Sequence, residues 1–560
     1  MKKAKITALF TCIALLAASA MSSCNNTPDV SSSSAEGTGG STPTSESSAD
    51  ITGSDKYEKG DYTLPISQEG VTLRWMGRDS ETAGTSFLTS KSIIWEEVQK
   101  QTGITIEWDV IPNAEYAEVM AVRLSSHEGL PDIICLQGQS DGSFLAKYFD
   151  EGVITSLTPL VEDYAPNIKK IFEEFPGYKN ALTLPSGDIA ALGDLNATAY
   201  RTKGITIRQD WLDKLNLESP TNMDELYEVA KAFVEKDPNG NGEQDEFGIM
   251  AKSAKELRQL GMGFGLSLVS GSGWSVHDGE LTYEFISSDY KDFLEWMNRA
   301  YNDGILPADF QSATGDIYNQ RKASNTLGIL GREYITSMAD LNNPTNSVKQ
   351  NIPEAVWRTV DFVEDSDHKL AIPMEPLATI WRSYGITTNC SDPIAAIRLL
   401  DYLFAGEGKI LNRSGVEGVT YNMVNGLVLS IPDWKDHVEA GTFLGDSYSP
   451  KMNWDATSLG FTEEDYLKND PELKEWTMSI IDSVKDKAYQ PFQASIPSLE
   501  DGKKLSQIFA DLNTYIDEMY IKFITGETSL DEYDTYVSNC QKLGCDTARE
   551  IYQKGLDALN

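Results

Sequence analysis

Between residues 71 and 137 two periodicities alternate along the chain. VTLRWMG (71–77), ITIEWDVIP (104–112) and PDIICLQ (131–137) are β-branched and aromatic-rich runs of strand length. KSIIWEEVQKQTG, between the first two, carries its apolar residues at helical spacing and stops at Gly103. AEYAEVMAVRLSSHEG predicts a second helix before the third strand. The order β-α-β-α-β points to a parallel sheet covered by helices.

The pattern continues less regularly. GITIRQDWL (204–212) reads as a strand leading into a helix, which makes Trp211 structural. Thr221 is placed to N-cap a helix with Asp224 at its third position and Met223, Leu226, Val229, Ala230 and Phe233 as its apolar stripe. LTYEF (281–285) is strand-like, and YKDFLEWMNRAYNDG and SDPIAAIRLLDYLFAGEG predict amphipathic helices. Near the end, Leu505, Ile508, Phe509, Leu512, Tyr515, Ile516, Met519 and Phe523 form one long stripe. Ser529 with Glu532 reads as a capping box for a last helix that Gly544 terminates. No internal repeat is present. The periodicity supports an α/β chain with a helical C-terminal region, and 560 residues require more than one core.

The N-terminus adds an address. Lys2, Lys3 and Lys5 precede a 16-residue apolar run, 6–21, which is shorter than a membrane span. Small residues then lead to Cys24, as in a bacterial lipobox, although Met21 stands where Leu is usual. Residues 1–23 are therefore expected to be a lipoprotein signal peptide and Cys24 the lipidated residue. In the 32 residues 25–56, 18 are Ser, Thr or Gly. Such a segment buries too little apolar surface to offset its ordering entropy, so 24–56 is expected to be a flexible tether. Of the remaining cysteines, Cys135 sits in an apolar run and reads as a core residue. Cys390, Cys540 and Cys545 show no short metal-type pairing, and no structural disulfide is expected.

A net charge of −38 repels phosphate backbones and anionic headgroups, which argues against nucleic acid as a partner. It also argues mildly against polyanionic ligands. Gly138-Gln139-Ser140-Asp141-Gly142 matches G-x-S-x-G after a strand, with His368 and His437 further on, so a secreted serine hydrolase using Ser140 is an alternative reading. No HGGG-type oxyanion motif accompanies it. The four histidines contain no H-E-x-x-H, and GMGFGLSLVSGSG lacks a P-loop lysine.

DPNGNGEQDEFG (237–248) places oxygen-bearing side chains at alternate positions around glycines. Asp237, Asn239, Asn241, the Glu243 carbonyl and Asp245 occupy five ligand positions of an EF-hand loop. Gly248 fails at the sixth, while Glu246 could supply the carboxylate. A plain Asn-Gly turn fits the same residues.

Several segments together resemble the extracellular solute-binding proteins of carbohydrate ABC importers. They are the lipobox and tether, GITIRQDWLDKLNLESPTNMDELYEVAKAF, the DPNGNG loop, HDGELTYEFISSDYKDFLEWMNRAYNDGILPADF and IKFITGETSLDEYDTYVSNCQKLGCDTAREIYQ. The likeness is to the long lipoprotein branch of family 1, which includes alginate-oligosaccharide-binding proteins. The resemblance implies a two-lobed, periplasmic-binding-protein-like (type II) α/β fold that closes about a hinge on a sugar. It implies lobe 1 over 57–200, lobe 2 over 201–324, a return to lobe 1 over 325–385, and 386–560 completing lobe 2 with the C-terminal helices. It also implies that 237–248 holds a structural calcium ion through Asp237, Asn239, Asn241, Glu243, Asp245 and Glu246. The implied partners are an oligosaccharide, or a peptide as the nearest alternative, and ABC permease subunits. The membrane is met through the lipid anchor only, on the extracellular face of the bacterial cytoplasmic membrane, and a monomer is expected.

Sugars need aromatic faces and hydrogen-bonding rims. Trp274 in the glycine-rich SGSGW and Trp381 in IWRSYG, a segment suited to a crossing or hinge, are the candidate stacking platforms, with Arg382 and Tyr384 beside the latter. Arg78, Asp79, Gln137 and Gln139 follow strands, where open α/β sheets bind ligands. Tyr421 and Trp454 complete the candidates.

Overall fold

Three parallel strands built from the β-branched runs open the fold: β1 (Val71–Arg78), β2 (Ile104–Ile111) and β3 (Ile133–Gln137). The coordinates are a computed structural model. They describe residues 56–557, apart from 80–89, 139–141, 198–201, 270–272, 278, 336, 345, 365–367, 425–426, 432–433, 440–441, 443–451 and 454–470. Cys24, Gln139, Ser140 and Trp454, with the expected signal peptide and all of the expected tether but its last residue, lie outside the described residues.

The predicted helix between β1 and β2 spans Ile93–Thr102. The Ser92 side chain accepts from the Trp95 N–H, and Gly103, at φ 70°, ends the helix by donating to the Gln99 carbonyl. Its inward face adds Trp95 to a cluster with Trp75 and Trp108, at centroid distances of 5.3 Å and 4.7 Å. β4 (Leu192–Asn196) belongs to the same sheet.

The second sheet begins with β5 (Lys203–Arg208), buried along its whole length, and β6 (Phe247–Met250). A hairpin of β7 (Trp274–His277) and β8 (Glu280–Tyr283) lies between these and the remaining strands, β9 (Leu327–Tyr334) and β10 (Trp357–Thr359). The strand order is β10-β5-β9-β6. β11 (Ala378–Ile386) then returns to the first sheet. It runs antiparallel between β3 and β4, with Arg382 opposite Gln137. A hairpin of β12 (Tyr421–Val424) and β13 (Leu427–Ser430) follows. β14 (Met452–Asn453) completes the order β14-β4-β11-β3-β1-β2.

The expected two α/β lobes are thus present, each with its own apolar core, within one compact unit, Ile51–Asn560. The expected crossover positions differ. Residues 327–359 stay in the second sheet, so the return to the first lobe comes at β11 rather than at 325. Helix Pro393–Phe404 belongs to the first core, not to a lobe 2 remainder. It is also buried on every side rather than amphipathic. Its two charges are satisfied locally: the Asp401 carboxylate accepts from the Ile168 N–H (2.7 Å) and the Tyr62 hydroxyl (3.0 Å), and Arg398 donates to the Glu58 carbonyl. Charged residues near a helix face mimic amphipathicity when their partners are far away in sequence. The N-cap of Met223–Glu235 is Asn222 rather than Thr221, which instead donates to the Glu225 carboxylate.

In the C-terminal helix Leu499–Thr525, Leu505, Leu512, Ile516 and Phe523 are buried in the second core. The other members of the expected stripe pack half-buried against it.

Between β4 and β5, and between β10 and β11, the chain passes from one sheet to the other, and residues 488–496 run alongside. The Asn196 amide donates to the Pro376 carbonyl and Thr379 Oγ1, both 3.0 Å. Gln490 donates to the Asn196 carbonyl (3.0 Å). The Gln493 amide brackets Ala378, accepting from its N–H (2.8 Å) and donating to its carbonyl (2.6 Å). Replacing Gln493 with Ala strands both backbone groups of Ala378. The expected cost is about 1–3 kcal/mol, read as a lower urea midpoint. An unchanged midpoint would mean that other groups take over these bonds.

Candidate functional site

β1, β2, β3 and β4 all point their carboxyl ends at the edge where the chain leaves for the second lobe. β11 enters the sheet at that edge, and there its pairing with β4 shifts register between Thr379 and Ser383. Gly193 allows the irregularity: a Cβ there would sit 2.1 Å from the Thr379 carbonyl oxygen. A bulge turns side chains away from the pleat. Trp381 lies within this one and is 44% exposed, although the segment is a strand and not the expected crossing. Its carbonyl accepts from the Gly138 N–H just past β3 (3.2 Å).

Two guanidinium groups flank the Trp381 ring, Arg78 at 5.9 Å and Arg382 at 5.6 Å from its centroid. Arg78 donates to Asn113 Oδ1 (3.0 Å), and Arg382 to Asp194 (3.1 Å). Gln137 Nε2 and Arg382 Nε are buried donors with no partner among the described residues. The Asp79 N–H donates to the Ile111 carbonyl (2.7 Å), which holds Asp79 at the same edge. Four expected residues thus meet at this edge: Arg78 and Arg382 flank the exposed Trp381 ring and Gln137 lies opposite Arg382, with Asp79 next to them.

The facing edge of the second sheet was not legible in the sequence. β5 starts there and β9 ends there, with Lys203 paired to Tyr334. The Lys203 ammonium lies 2.7 Å from the centre of the Tyr334 ring and 3.8 Å from Glu375. Glu333 accepts from the Tyr318 hydroxyl (2.6 Å) and lies 3.9 Å from Lys252. Burial pushes the nearby Lys322 ammonium below its ordinary value. Tyr489, on the segment beside the crossings, is 39% exposed. Its N–H donates to Ile372 and its carbonyl accepts from Met374. Trp381 and Tyr489 are the most exposed aromatic residues among those described. Only the Tyr-Gln-Pro sequence at 489–491, which marks the chain leaving a helix, hinted at the second.

Three expectations fail on burial. Trp274 is 3% exposed in the second core, 4.5 Å from the Tyr283 ring and 5.5 Å from Tyr552. Gly273 before it makes room for its neighbours: a Cβ there would strike the Phe285 ring at 2.3 Å. Tyr384 is buried against Trp75, and Tyr421 is 7% exposed, so neither offers a ring face. Trp211 is structural as expected, buried edge-on to Phe233.

The loop 237–248 is closed by its own side chains. Asp237 accepts from the Gly240, Asn241 and Gly242 N–H groups (2.8, 3.1 and 3.0 Å), and Asn239 Oδ1 accepts from the Asn241 N–H. The Asn239 and Asn241 amides both donate to Asp245 Oδ1. Glu246 is 6% exposed, and its Oε2 is buried without a partner. Burial raises its carboxyl above the usual range. Among the described residues no group of three His, Cys, Asp or Glu side chains is gathered as a metal cluster; this loop mixes carboxylates with amides.

A family model described as bacterial extracellular solute-binding protein matches residues 84–409. The chain is 25% identical over 539 residues to the fructooligosaccharide ABC transporter substrate-binding protein FusA of Streptococcus pneumoniae, covering 90% of this chain and 93% of FusA. It is 24% identical over 494 residues to the polygalacturonan/rhamnogalacturonan-binding protein YtcQ of Bacillus subtilis, covering 83% and 87%. Among solved structures, alginate-binding protein AlgQ2 without calcium ion superposes with a TM-score of 0.65 at 20% identity, over 88% of this chain and 99% of AlgQ2. A FusA EF-hand mutant in complex with fructo-nystose gives 0.63 at 21%, over 87% and 99%.

The contrast between the two tryptophans is measurable without a ligand. Trp274→Ala should cost about 3–5 kcal/mol of stability by opening a core cavity. Trp381→Ala, at an exposed ring, should stay within about 0.5 kcal/mol. Equal urea midpoints for the two variants would contradict the placement of Trp274 in the core.

Proposed function

The chain belongs to the bacterial extracellular solute-binding proteins, and we propose that it captures an oligosaccharide between its two lobes and hands it to an ABC permease. The observation that carries this reading is Trp381: a large exposed ring on the outward face of a strand, beside a register shift and between two guanidinium groups. An apolar face ringed by fixed donors suits the C–H face and hydroxyl rim of a sugar. The buried unpaired donors Gln137 Nε2 and Arg382 Nε sit beside it and would gain acceptors from such a ligand. Relatives named for binding fructooligosaccharide and polygalacturonan support a carbohydrate over a peptide.

Capture works by population shift. A ligand that touches Trp381 on one lobe and the Lys203–Tyr334 edge on the other binds the closed form better than the open one. The three segments at Asn196, Ala378 and Gln493 absorb the rotation. Lipidation at Cys24 tethers the protein to the extracellular face of the membrane, in accord with its leader sequence. Among the described residues no helix is long and apolar enough to cross a membrane.

The 237–248 loop fits calcium. Its donors are hard oxygens, and the unpartnered, buried Glu246 Oε2 is what a missing cation would satisfy. Asp237, Asn239, Asn241, Asp245 and Glu246, with the Glu243 carbonyl, would hold the ion. Bound there, it would fasten the end of helix Met223–Glu235 to β6. EDTA is expected to lower the melting temperature by a few degrees, calcium to restore it, and Glu246→Gln to abolish the response. A melt indifferent to calcium in the unaltered protein would refute the site.

A thermal-shift screen tests the ligand class, using kestose, galacturonate oligosaccharides and short peptides. At 100 times its dissociation constant a ligand adds about 2.7 kcal/mol. Trp381→Ala should weaken the responding sugar by about 10- to 100-fold. A response to peptides alone would move the assignment to peptide capture.

A further inference from the structure

Glu284 follows β8 and is 4% exposed, yet no salt bridge reaches it among the described residues. Its carboxylate accepts from the Ser267 N–H at 2.8 Å, and the Ser267 hydroxyl lies 3.3 and 3.4 Å from its two oxygens. Ser275 on β7 adds a side-chain hydrogen bond. Ser267 is itself 2% exposed, and its hydroxyl bonds Tyr489. A buried carboxyl is therefore wired through one hydroxyl to an exposed phenol on the segment beside the crossings.

The groups around Glu284 leave it to titrate alone. Asp289 faces it from helix Ser288–Asn302 but is paired with Lys369 (2.6 Å). Arg258 lies over the far side of the neighbouring Phe285 ring, at 5.2 Å, and is paired with Asp517 (2.8 Å). From the C-terminal helices, Tyr536 donates to the Phe285 carbonyl and Tyr533 to that of Ser287, while the Asp517 carboxylate is held by Arg258. Burial pushes the Glu284 carboxyl up to about 7, against the pull of the Ser267 and Ser275 bonds.

A hydroxyl has one proton to give, so the relay has two orientations. With Glu284 ionised, Ser267 donates to the carboxylate and Tyr489 donates to Ser267, which leaves the phenol oxygen presenting lone pairs outward. With Glu284 protonated, the carboxyl can donate to Ser267, Ser267 to Tyr489, and Tyr489 then presents its proton outward. We propose that Glu284 is a positioning residue that sets, through Ser267, whether Tyr489 offers a donor or an acceptor to the sugar, and that capture is thereby proton-linked. This rests on the carbohydrate reading of the cleft beside Tyr489. Closure over Tyr489 adds desolvation, which raises the carboxyl further, so the bound form takes up a proton and affinity rises as pH falls through 7. A one-unit rise on binding makes the dissociation constant about fivefold lower at pH 6 than at pH 8. Stability of the free protein follows the same sign. The raised carboxyl stabilises the fold below about 4.5, and that contribution is lost as pH climbs to about 7.

The test uses the purified protein with 13Cζ-labelled tyrosine, the Tyr489 signal being assigned with Tyr489→Phe. The signal is expected to titrate with a midpoint near 7 without any ligand, and to stay flat in Glu284→Gln and Ser267→Ala, two variants that disable the relay independently. A flat signal in the unaltered protein overturns the relay. Calorimetry at pH 6 and pH 8 then follows, with whichever of kestose or the galacturonate oligosaccharides shifts the melt. Affinity equal at both pH values overturns the proton linkage. A titrating Tyr489 with no sugar bound at either pH overturns the carbohydrate reading and leaves the relay standing.

Discussion

Backbone polar groups must be paired wherever the chain is buried, and this constraint is most demanding where two lobes share three passing segments. The first sheet's pairing ends at residues 196, 377 and 378, where the Asn196 N–H still donates to the Leu377 carbonyl, and side-chain amides carry the bonding on from there. Asn196 accepts the strain of one crossing through its bonds to Pro376 and Thr379, while Gln490 and Gln493 tie the third segment to the first two. Amide groups suit a joint that must bend. Each carries both donors and an acceptor on a short rotatable stem, so partners can be kept through a change of backbone angle that a β-ladder would not survive. The orientation of both sheets follows. Every crossing leaves or enters at one edge of each sheet, which brings the carboxyl ends of β1 to β4 toward the start of β5 and the end of β9.

The exposed tryptophan is a consequence of the same edge. β11 begins at the joint and must pair at once with two strands, and it does so with a register shift beside Gly193. A regular strand would have buried every second side chain from Ala378 on. That alternation already places Trp381 outward beyond buried Ala378 and Ile380, and the irregularity shows instead at Ser383, which is buried beside Tyr384. The ring's exposure is therefore built into the backbone and does not rely on loop flexibility, which keeps its conformational cost on binding low.

The early part of the fold was legible because each strand and helix there carries its own periodicity and its own stop, as Ser92 and Gly103 do for one helix. The strand ends were legible for the same reason, and they supplied Arg78, Asp79 and Gln137, while Arg382 came with Trp381 from IWRSYG, read as a crossing rather than a strand. What failed was composition read as exposure. Glycines around Trp274 suggested an open loop, but Gly273 has no room for a side chain because the Phe285 ring presses against it. Helix Pro393–Phe404 looked amphipathic because Arg398 and Asp401 are charged, yet Glu58, Tyr62 and Ile168, more than 200 positions away, receive both. The Lys203–Tyr334 pair carries no local pattern, and Tyr489 only the Tyr-Gln-Pro that marks a helix exit. Their roles exist only once the two sheets stand edge to edge, and no window of sequence contains that.

Charge at this edge also behaves differently from charge over the whole chain. A total of −38 suggests a surface that repels anions, but the cleft-side cations come with partners: Arg382 with Asp194, Lys203 with Glu375, Lys252 with Glu333. Paired charges cancel at a distance and keep their direction at contact range. Arg382 is held by Asp194 with its guanidinium 5.6 Å from the Trp381 ring centre. Recognition at such a site depends on where donors point more than on net field, and a hydroxyl-rich ligand answers that geometry whether or not it carries a carboxylate. The same reasoning explains why a lone buried carboxyl such as Glu284 stands apart. Without a cation to cancel it, burial raises its carboxyl to where solvent pH near 7 can move its protonation state.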